Sequence, residues 1–215
     1  MLTIKYQKTG SAIYISHIDT LRGIIRAIRR AGLDVAYSDG FNPHPRLYLS
    51  PPLPLFAASL AEYFSVETEE TAEEFFERYK KACPPGLPPV KIFFTPKNPN
   101  LAGKLFAADY MFSTDAPVGQ DLLDGFLSRE SIPFVNRAGK EKDVRPFIYG
   151  LTAEQGGARA RLDSNGIRPD ALAAEIEKTL GVRVKAATKT AQYARLGDGL
   201  IEADSFLTEL SHTAL

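Results

Sequence analysis

The sequence predicts an α+β fold made of two tandem ferredoxin-like (βαββαβ) domains with antiparallel sheets. With 215 residues, the chain is longer than one domain of the usual size, about 100–150 residues. Strand-like and helix-like hydrophobic periods follow one another in the order β-α-β-β-α-β over residues 1–97, and again over residues 105–207. Between them the chain is polar and rich in proline. We therefore expect a linker at residues 98–104 and a flexible tail at residues 208–215.

The first domain is predicted from alternating segments and two capped helices. "LTIKYQKTG" alternates as a strand, and "SAIYI" reads as its extended continuation. Ser16 is the expected N-cap of the first helix and Gly32 its end; Thr71 is the expected N-cap of the second, "TAEEFFERYKKAC". "DVAYS", "RLYLS", "SLAEYFSVETE" and "VKIFFTPK" are predicted to be strands or pieces of strands.

The second domain is predicted to repeat this order. Strands are expected at "LFAADYMFST", "KDVRPFIYGLTAE", "GGARARLDS" and "RVKAATKTAQYA", and helices at "VGQDLLDGFLSRE" and "RPDALAAEIEKTLG". Pro169 suits the start of the last helix and Gly181 its end. The halves share no evident residue identity, so the duplication rests on element order alone.

Composition limits the possible classes of function. Hydrophobic residues make up 44% and charged residues 24% of the chain, as in ordinary globular proteins, and no apolar run approaches the ~20 residues that span a bilayer. Without a signal-like start, and with Cys83 as the single cysteine, a cytoplasmic protein without a membrane partner is expected. One cysteine and three histidines give no zinc or iron–sulfur motif, and nucleotide-binding glycine loops are absent, so we expect no metal and no cofactor.

Charge is unevenly distributed although the net charge is zero. Residues 1–56 carry a net charge of +4, and residues 57–80 carry a net charge of −5. On the first helix, isoleucines and a leucine form an apolar stripe that is expected to be core: Ile18, Leu21, Ile24, Ile25 and Ile28. The other face carries a predicted cationic ridge: Arg22, Arg26, Arg29 and Arg30.

The stretch "YSDGFNPHPRLYLSPPLPL", residues 37–55, concentrates proline and aromatic side chains. Prolines fix the backbone before any partner binds, and Gly40 is expected to take a conformation that turns Phe41 outward. Exposed Tyr37, Phe41 and Tyr48 would then stack on RNA bases. The alternative is a β-hairpin whose prolines block pairing at a sheet edge.

Two histidines are candidates for chemistry. His17 lies in the first turn of the first helix, and His44 is held between two prolines beside Arg46. If they converge with Tyr37, the three side chains would form the general acid and base of a metal-independent ribonuclease. A structural histidine packed against the proline-rich stretch is the alternative for His17.

The stretch "SHIDTLRGIIRAIRRAGLDVAYSDGFNPHPRLYLSPPLPL", with the later "EYFSV", resembles the family of radical SAM-linked proteins. In bacteria these proteins are fused to, or encoded beside, a radical SAM protein with a cobalamin-binding-type domain. The resemblance is strongest over residues 1–67 and implies a radical SAM protein as partner. The matching positions include Ser16, His17, Asp19, Arg22, Tyr37, Ser38, Gly40, Phe41, Pro43, Pro45, Pro52, Leu53, Pro54 and Glu62.

Later segments resemble the family less closely. "KDVRPFI" is similar to its D-x-R-P segment at Asp143, Arg145 and Pro146, and "ATKTAQY" is similar to its R-T segment with Lys189 in place of Arg. Two positions depart from the family pattern, which has Gly at Phe56 and Asp at Ser65. A side chain at position 56 would obstruct a ligand that approaches the backbone there.

Three hypotheses follow. In the first, the chain is an RNA-binding accessory module without catalytic activity that presents tRNA or rRNA to a radical SAM modification enzyme. Its binding residues are Arg22, Arg26, Arg29, Arg30, Tyr37, Phe41, His44, Arg46 and Arg145. The second is the ribonuclease with His17, His44 and Tyr37, and the third is a protein-interaction adaptor that binds no RNA. Glutamates of residues 67–77 that neutralise the ridge would favour the adaptor; an exposed, unpaired ridge would favour RNA.

Overall fold

The computed structural model describes residues 1–135 and 139–212. Over these residues the fold is mixed α/β, with mostly antiparallel strands and six α-helices, so the predicted α+β class is confirmed. The chain divides into two compact units. The first contains residues 1–105 and the described residues from 192 onward, and the second contains residues 106–191.

The first unit begins with four strands and three helices in chain order. They are β1 Leu2–Lys8, α1 His17–Arg30, β2 Leu47–Leu49, β3 Ala58–Val66, α2 Ala72–Ala82, β4 Pro89–Phe94 and the short α3 Leu101–Lys104. Strand β1 lies between β3 and β4, antiparallel to both. Strand β2 pairs antiparallel with β3, so the order is β4-β1-β3-β2.

Both long helices of this unit begin where their caps predicted. Ser16 Oγ accepts a hydrogen bond from the Asp19 amide at 3.1 Å, and Thr71 Oγ1 accepts one from the Glu74 amide at 3.3 Å. Each bond satisfies an amide that has no partner inside the helix. Gly32 follows α1 at φ +62°, a left-handed conformation that glycine adopts without strain.

The core of the first unit lies between β1, β3 and the two helices. Its buried side chains include Ile4, Tyr6, Ile24, Ile28, Phe64, Phe75 and Tyr79. Ile18, predicted to belong to the apolar stripe, is instead 59% exposed, so that prediction was wrong at this position. Ile18 lies at the edge of the apolar arc and is about 40° around the helix from Arg22, since residues four apart nearly superimpose.

The second unit contains the elements from β5 to β10. They are β5 Leu105–Thr114, α4 Gln120–Leu127, β6 Pro133–Val135, β7 Glu141–Asp143, β8 Ile148–Glu154, β9 Gly157–Asp163, α5 Pro169–Leu180 and β10 Val184–Leu196. Its strand order is β10-β5-β9-β8, and β6 and β7 pair separately. Strands β7 and β8, expected as one strand, are separated by a 3₁₀ turn, Arg145–Phe147; Pro146 within it has no amide hydrogen for a strand ladder.

The end of the chain returns to the first unit. After residue 191 the rest of β10 is followed by β11 Gly199–Glu202 and α6 Ala203–His212. Leu207 of α6 is fully buried, and the Tyr63 hydroxyl donates to Asp204 Oδ1 at 2.7 Å. The predicted domain at residues 105–207 and tail at residues 208–215 therefore divide differently in the structure: residues 208–212 are helical, and residues 213–215 lie outside the described residues.

Two short segments also differ from their predicted conformation. The segment "SAIYI", which was expected to be extended, forms most of a 3₁₀ helix, Gly10–Tyr14. The first residue of this helix, Gly10, turns the chain with a φ of +56°. "DVAYS" makes one isolated bridge, Tyr37 to Pro45, and no regular strand. No helix within residues 1–135 or 139–212 is long and apolar enough to cross a membrane.

Candidate nucleic-acid interface

The arginine ridge consists of Arg22, Arg26, Arg29 and Arg30 on α1. All four side chains are exposed, because the opposite side of the helix is fixed by the buried core. Arg22 Nη1 donates to Asp19 Oδ1 at 3.2 Å, with both side chains more than half exposed. Such a pair contributes little free energy, since water screens it.

Arg26 and Arg29 are the open part of the ridge. Neither forms an ion pair with any residue in the described part of the chain. Asp19 is the acidic neighbour: the pKa of its carboxyl lies below the usual value because the Ser16 hydroxyl donates to it and Arg22 lies beside it. Asp19 offsets one positive charge, and the other arginines still favour an anionic ligand.

The acidic segment at residues 67–77 does not neutralise the ridge. Glu67 accepts from Arg46 Nη1 at 3.1 Å, and Glu70 accepts from Arg78 Nη1 at 2.8 Å. Glu74 accepts from the Thr71 hydroxyl at 2.9 Å. These three carboxylates bind groups outside the ridge, and no glutamate of residues 67–77, all of which are described, forms an ion pair with a ridge arginine.

The proline arm, residues 36–46, follows α1 and projects as a narrow antiparallel loop. Ser38 N donates to His44 O at 2.8 Å, and Arg46 N donates to Ala36 O at 2.8 Å. The prediction for Gly40 is confirmed: its φ is +112°, and Phe41 next to it is fully exposed. The backbone bonds and the prolines fix the arm while its tip presents an aromatic ring to solvent.

Within the arm, Arg46 has a different place from the one predicted. Its guanidinium pairs with Glu67 at 3.1 Å and with Asp39 at 3.5 Å, and the hydrogen bond to Glu67 raises the pKa of Arg46. Tyr48 also donates to Glu67, at 3.2 Å. Arg46 and Tyr48 therefore stabilise the base of the arm, whereas Tyr37, Phe41 and His44 remain exposed.

His17 and His44 lie at opposite ends of the first unit. Lys8 Nζ donates to Ile15 O at 2.8 Å, which places the His17 end of α1 at the end of β1. The arm is attached at the start of β1, because Leu2 pairs with Val66 and Ala36 N donates to Glu67 O at 2.8 Å. A seven-residue strand spans about 20 Å, far beyond the reach of two groups that share one phosphate.

Arg145 of the second unit forms hydrogen bonds that stabilise the fold. Its Nε donates to Leu127 O at 2.7 Å and its Nη1 donates to Ile148 O at 3.1 Å. The first bond satisfies a carbonyl in the last turn of α4, which has no helical partner. Asp143 of the same segment accepts from the amides of Ile132 and Arg145 at 2.8 and 3.0 Å. The D-x-R-P segment thus stabilises a turn.

An aromatic pair that the sequence did not predict lies near the N-terminal end of α1. The rings of Tyr14 and Phe56 are 5.9 Å apart between centroids, with an interplanar angle of 70°. Phe56 N donates to Ile13 O at 3.0 Å, and Phe56 has φ +69°. The sequence did contain a signal for this pair, because Phe56 stands where the resembled family has Gly. Glycine is the usual residue at positive φ.

Comparison with known proteins identifies a family. Residues 1–189 match the family described as "Uncharacterized protein conserved in bacteria (DUF2344)". The chain belongs to this family. The matched region contains α1 with the arginine ridge, the proline arm and most of the second unit. No curated protein matches the sequence, so the geometry of the ridge and the arm carries the functional argument.

Proposed function

We propose that this member of the DUF2344 family is an RNA-binding accessory module that presents tRNA or rRNA to a partner radical SAM modification enzyme. The observation that carries the proposal is the exposed arginine ridge, in which Arg26 and Arg29 form no ion pair with a described residue. Uncompensated arginines on one helix face are suited to phosphate groups, which they bind with charge-assisted hydrogen bonds. The radical SAM partner rests on the resemblance of residues 1–67.

The roles of the other predicted residues follow from their contacts. Phosphates bind the ridge, chiefly at Arg26 and Arg29, because Arg22 pairs with Asp19 and Arg30 Nη2 donates to Ala82 O at 2.6 Å. Tyr37, Phe41 and His44 of the proline arm meet bases or riboses, because their side chains are exposed on a rigid loop. Arg46 and Arg145 hold the fold, since their guanidiniums already bind Glu67 and backbone carbonyls.

The finer fold assignment is part of the same proposal. We infer two ferredoxin-like units, supported by the strand orders β4-β1-β3-β2 and β10-β5-β9-β8. In each order the first strand of the unit lies between its third and fourth strands, as in the split βαβ arrangement. The end of β10, β11 and α6 are additions to the first unit.

The ridge is tested by filter binding of the purified protein to total small RNA at about 50 and 200 mM salt. Arg26→Ala/Arg29→Ala should weaken binding and reduce the slope of log affinity against log salt by about 1.4, since each lost phosphate contact on a single strand removes about 0.7. The matched control, Lys97→Ala/Lys104→Ala, removes two exposed charges elsewhere in the first unit and should leave the slope unchanged.

Equal slopes for the wild type and the arginine double variant would contradict the proposal, as would a wild type that binds no RNA at either salt concentration. The latter result would favour the adaptor. The ribonuclease is disfavoured because the segments that carry His17 and His44 are attached at opposite ends of β1, a strand that spans about 20 Å. The partner is tested by asking whether a co-expressed radical SAM enzyme of this type modifies RNA only when this protein is present.

A further inference from the structure

We infer that Tyr14 and Phe56 form a stacking site for an unpaired RNA base at the N-terminal end of the arginine ridge. The inference rests on the proposed RNA-binding function and deepens it, because it names single-stranded RNA as the ligand class. Tyr14 is 65% exposed and Phe56 is 70% exposed. Neither ring contributes to the buried core of the first unit.

The backbone of Phe56 indicates a role outside folding. Its φ of +69° lies in the left-handed region, where a bulky side chain is unfavourable and glycine is preferred. The conformation is held by the hydrogen bond from Phe56 N to Ile13 O at 3.0 Å. Residues kept in unfavourable backbone conformations cluster at functional sites. Here the residue in the unfavourable conformation, Phe56, carries a ring that is exposed to solvent.

The geometry of the two rings suits a flat ligand. Their interplanar angle of 70° and their centroid separation of 5.9 Å make a corner of two nearly perpendicular rings. A base that stacks on the face of one ring meets the other ring beside its edge. The site is rigid as well, because Tyr14 ends the 3₁₀ helix and Phe56 follows the prolines at positions 52 and 54.

The surrounding charge selects the class of ligand. Tyr14 precedes the N-cap Ser16 by two residues, and the first turn of α1 presents the positive end of the helix dipole. Arg22 pairs with Asp19 in that turn at 3.2 Å, and Arg26 lies about one helical turn further along α1. Aromatic rings beside a cationic groove are the combination that binds single-stranded nucleic acid. A protein ligand would need acidic groups opposite the same arginines.

The test measures binding of a fluorescein-labelled single-stranded oligouridylate and of a hairpin-free duplex RNA of equal length. Phe56→Gly should bind the single strand about 5-fold more weakly or worse, since one lost base stack accounts for that range. Its salt slope should match the wild type, because no charge is removed. Its melting temperature should be equal or higher, because glycine relieves the positive-φ strain.

Three variants complete the design. Phe56→Tyr should keep wild-type affinity, Tyr14→Leu should lose affinity for the single strand, and the control Phe94→Ala removes an aromatic side chain that is 53% exposed elsewhere and should change nothing. Wild-type affinity of Phe56→Gly and Tyr14→Leu for the single strand would overturn the inference, as expected if the pair docks a protein. An equal loss on duplex RNA would also overturn it. Failure of the ridge proposal is distinct, since then the wild type itself would not bind RNA or Arg26→Ala/Arg29→Ala would keep the wild-type salt slope.

Discussion

At the scale of single residues, side-chain type did not decide function in this protein. Arg26 and Arg145 are both arginines in segments that resemble one family, yet Arg26 is exposed without an ion pair among the described residues, whereas Arg145 binds the carbonyls of Leu127 and Ile148. An arginine has five donors and always carries its charge. Whether the guanidinium is free to bind a ligand or already binds a backbone carbonyl depends on which groups the fold places beside it.

Asp143 provides a prediction at this scale. The amides of Ile132 and Arg145 donate to its carboxylate and lower its pKa, so the folded state favours the ionised form. This contribution to stability is present above the unfolded pKa of about 3.9 and is lost as pH falls through the lower folded value. Thermal melts should therefore show a gap between wild type and Asp143→Ala that is largest near pH 7 and narrows below about pH 4. A gap that is constant with pH would contradict this.

At the scale of elements, α1 combines a structural face with a binding face. Its buried side includes Ile24, Ala27 and Ile28, and its exposed side carries the ridge. The core fixes the rotation of the helix, so the arginines face solvent; of the four, Arg22 pairs with Asp19 and Arg30 donates to Ala82 O. The proline arm and the Tyr14–Phe56 pair lie near opposite ends of this helix. A single strand that follows the ridge would meet an aromatic side chain at each end.

The start of α1 is defined by the N-cap Ser16. Ser16→Ala removes the acceptor for the Asp19 amide and the donor to its carboxylate. We expect a loss of about 1 kcal/mol in the free energy of unfolding, measured by urea denaturation. Ser16→Asp keeps an N-cap acceptor and should recover part of this loss. Equal stability of the wild type and Ser16→Ala would show that the cap does not define this helix start.

At the scale of the whole molecule, the first unit is completed by residues far along the chain. Asp204 of α6 accepts from Tyr63 at 2.7 Å and pairs with Lys5 at 3.1 Å, and Gln192 donates to Ala61 O at 2.5 Å. The family match ends at residue 189, before these contacts. The segment after that point nevertheless contributes Ala194, Ala203 and Leu207 to a second buried cluster of the first unit.

Leu207 tests the contribution of this segment. Leu207→Ala leaves a cavity at a fully buried position and should lower the free energy of unfolding by about 2–5 kcal/mol. The exposed neighbour Ser205 supplies the control, since Ser205→Ala should change stability by less than about 0.5 kcal/mol. Urea denaturation of both variants measures the difference. A small effect of Leu207→Ala would indicate that α6 is dispensable for the first unit.

The sequence predicted much of the element order. The first two helix starts follow from Ser16 and Thr71, and Pro169 and Gly181 bound α5 as expected. It also placed the arginine ridge on an exposed face. It did not predict the 3₁₀ helix Gly10–Tyr14 or the division at Arg145–Phe147. Both segments have strand-like composition, and their conformation is set by Gly10 and Pro146.

What the sequence determined by itself is therefore local: helix starts, apolar faces and most strands, because caps and periodicity act between residues a few positions apart. The tertiary structure decided the rest. It placed α6 with the first unit, engaged Arg46 and Arg145 in the fold, separated His17 from His44 and exposed Tyr14 and Phe56 together. These outcomes depend on which distant segments compete for the same buried surface and hydrogen bonds. A local sequence pattern does not contain that information.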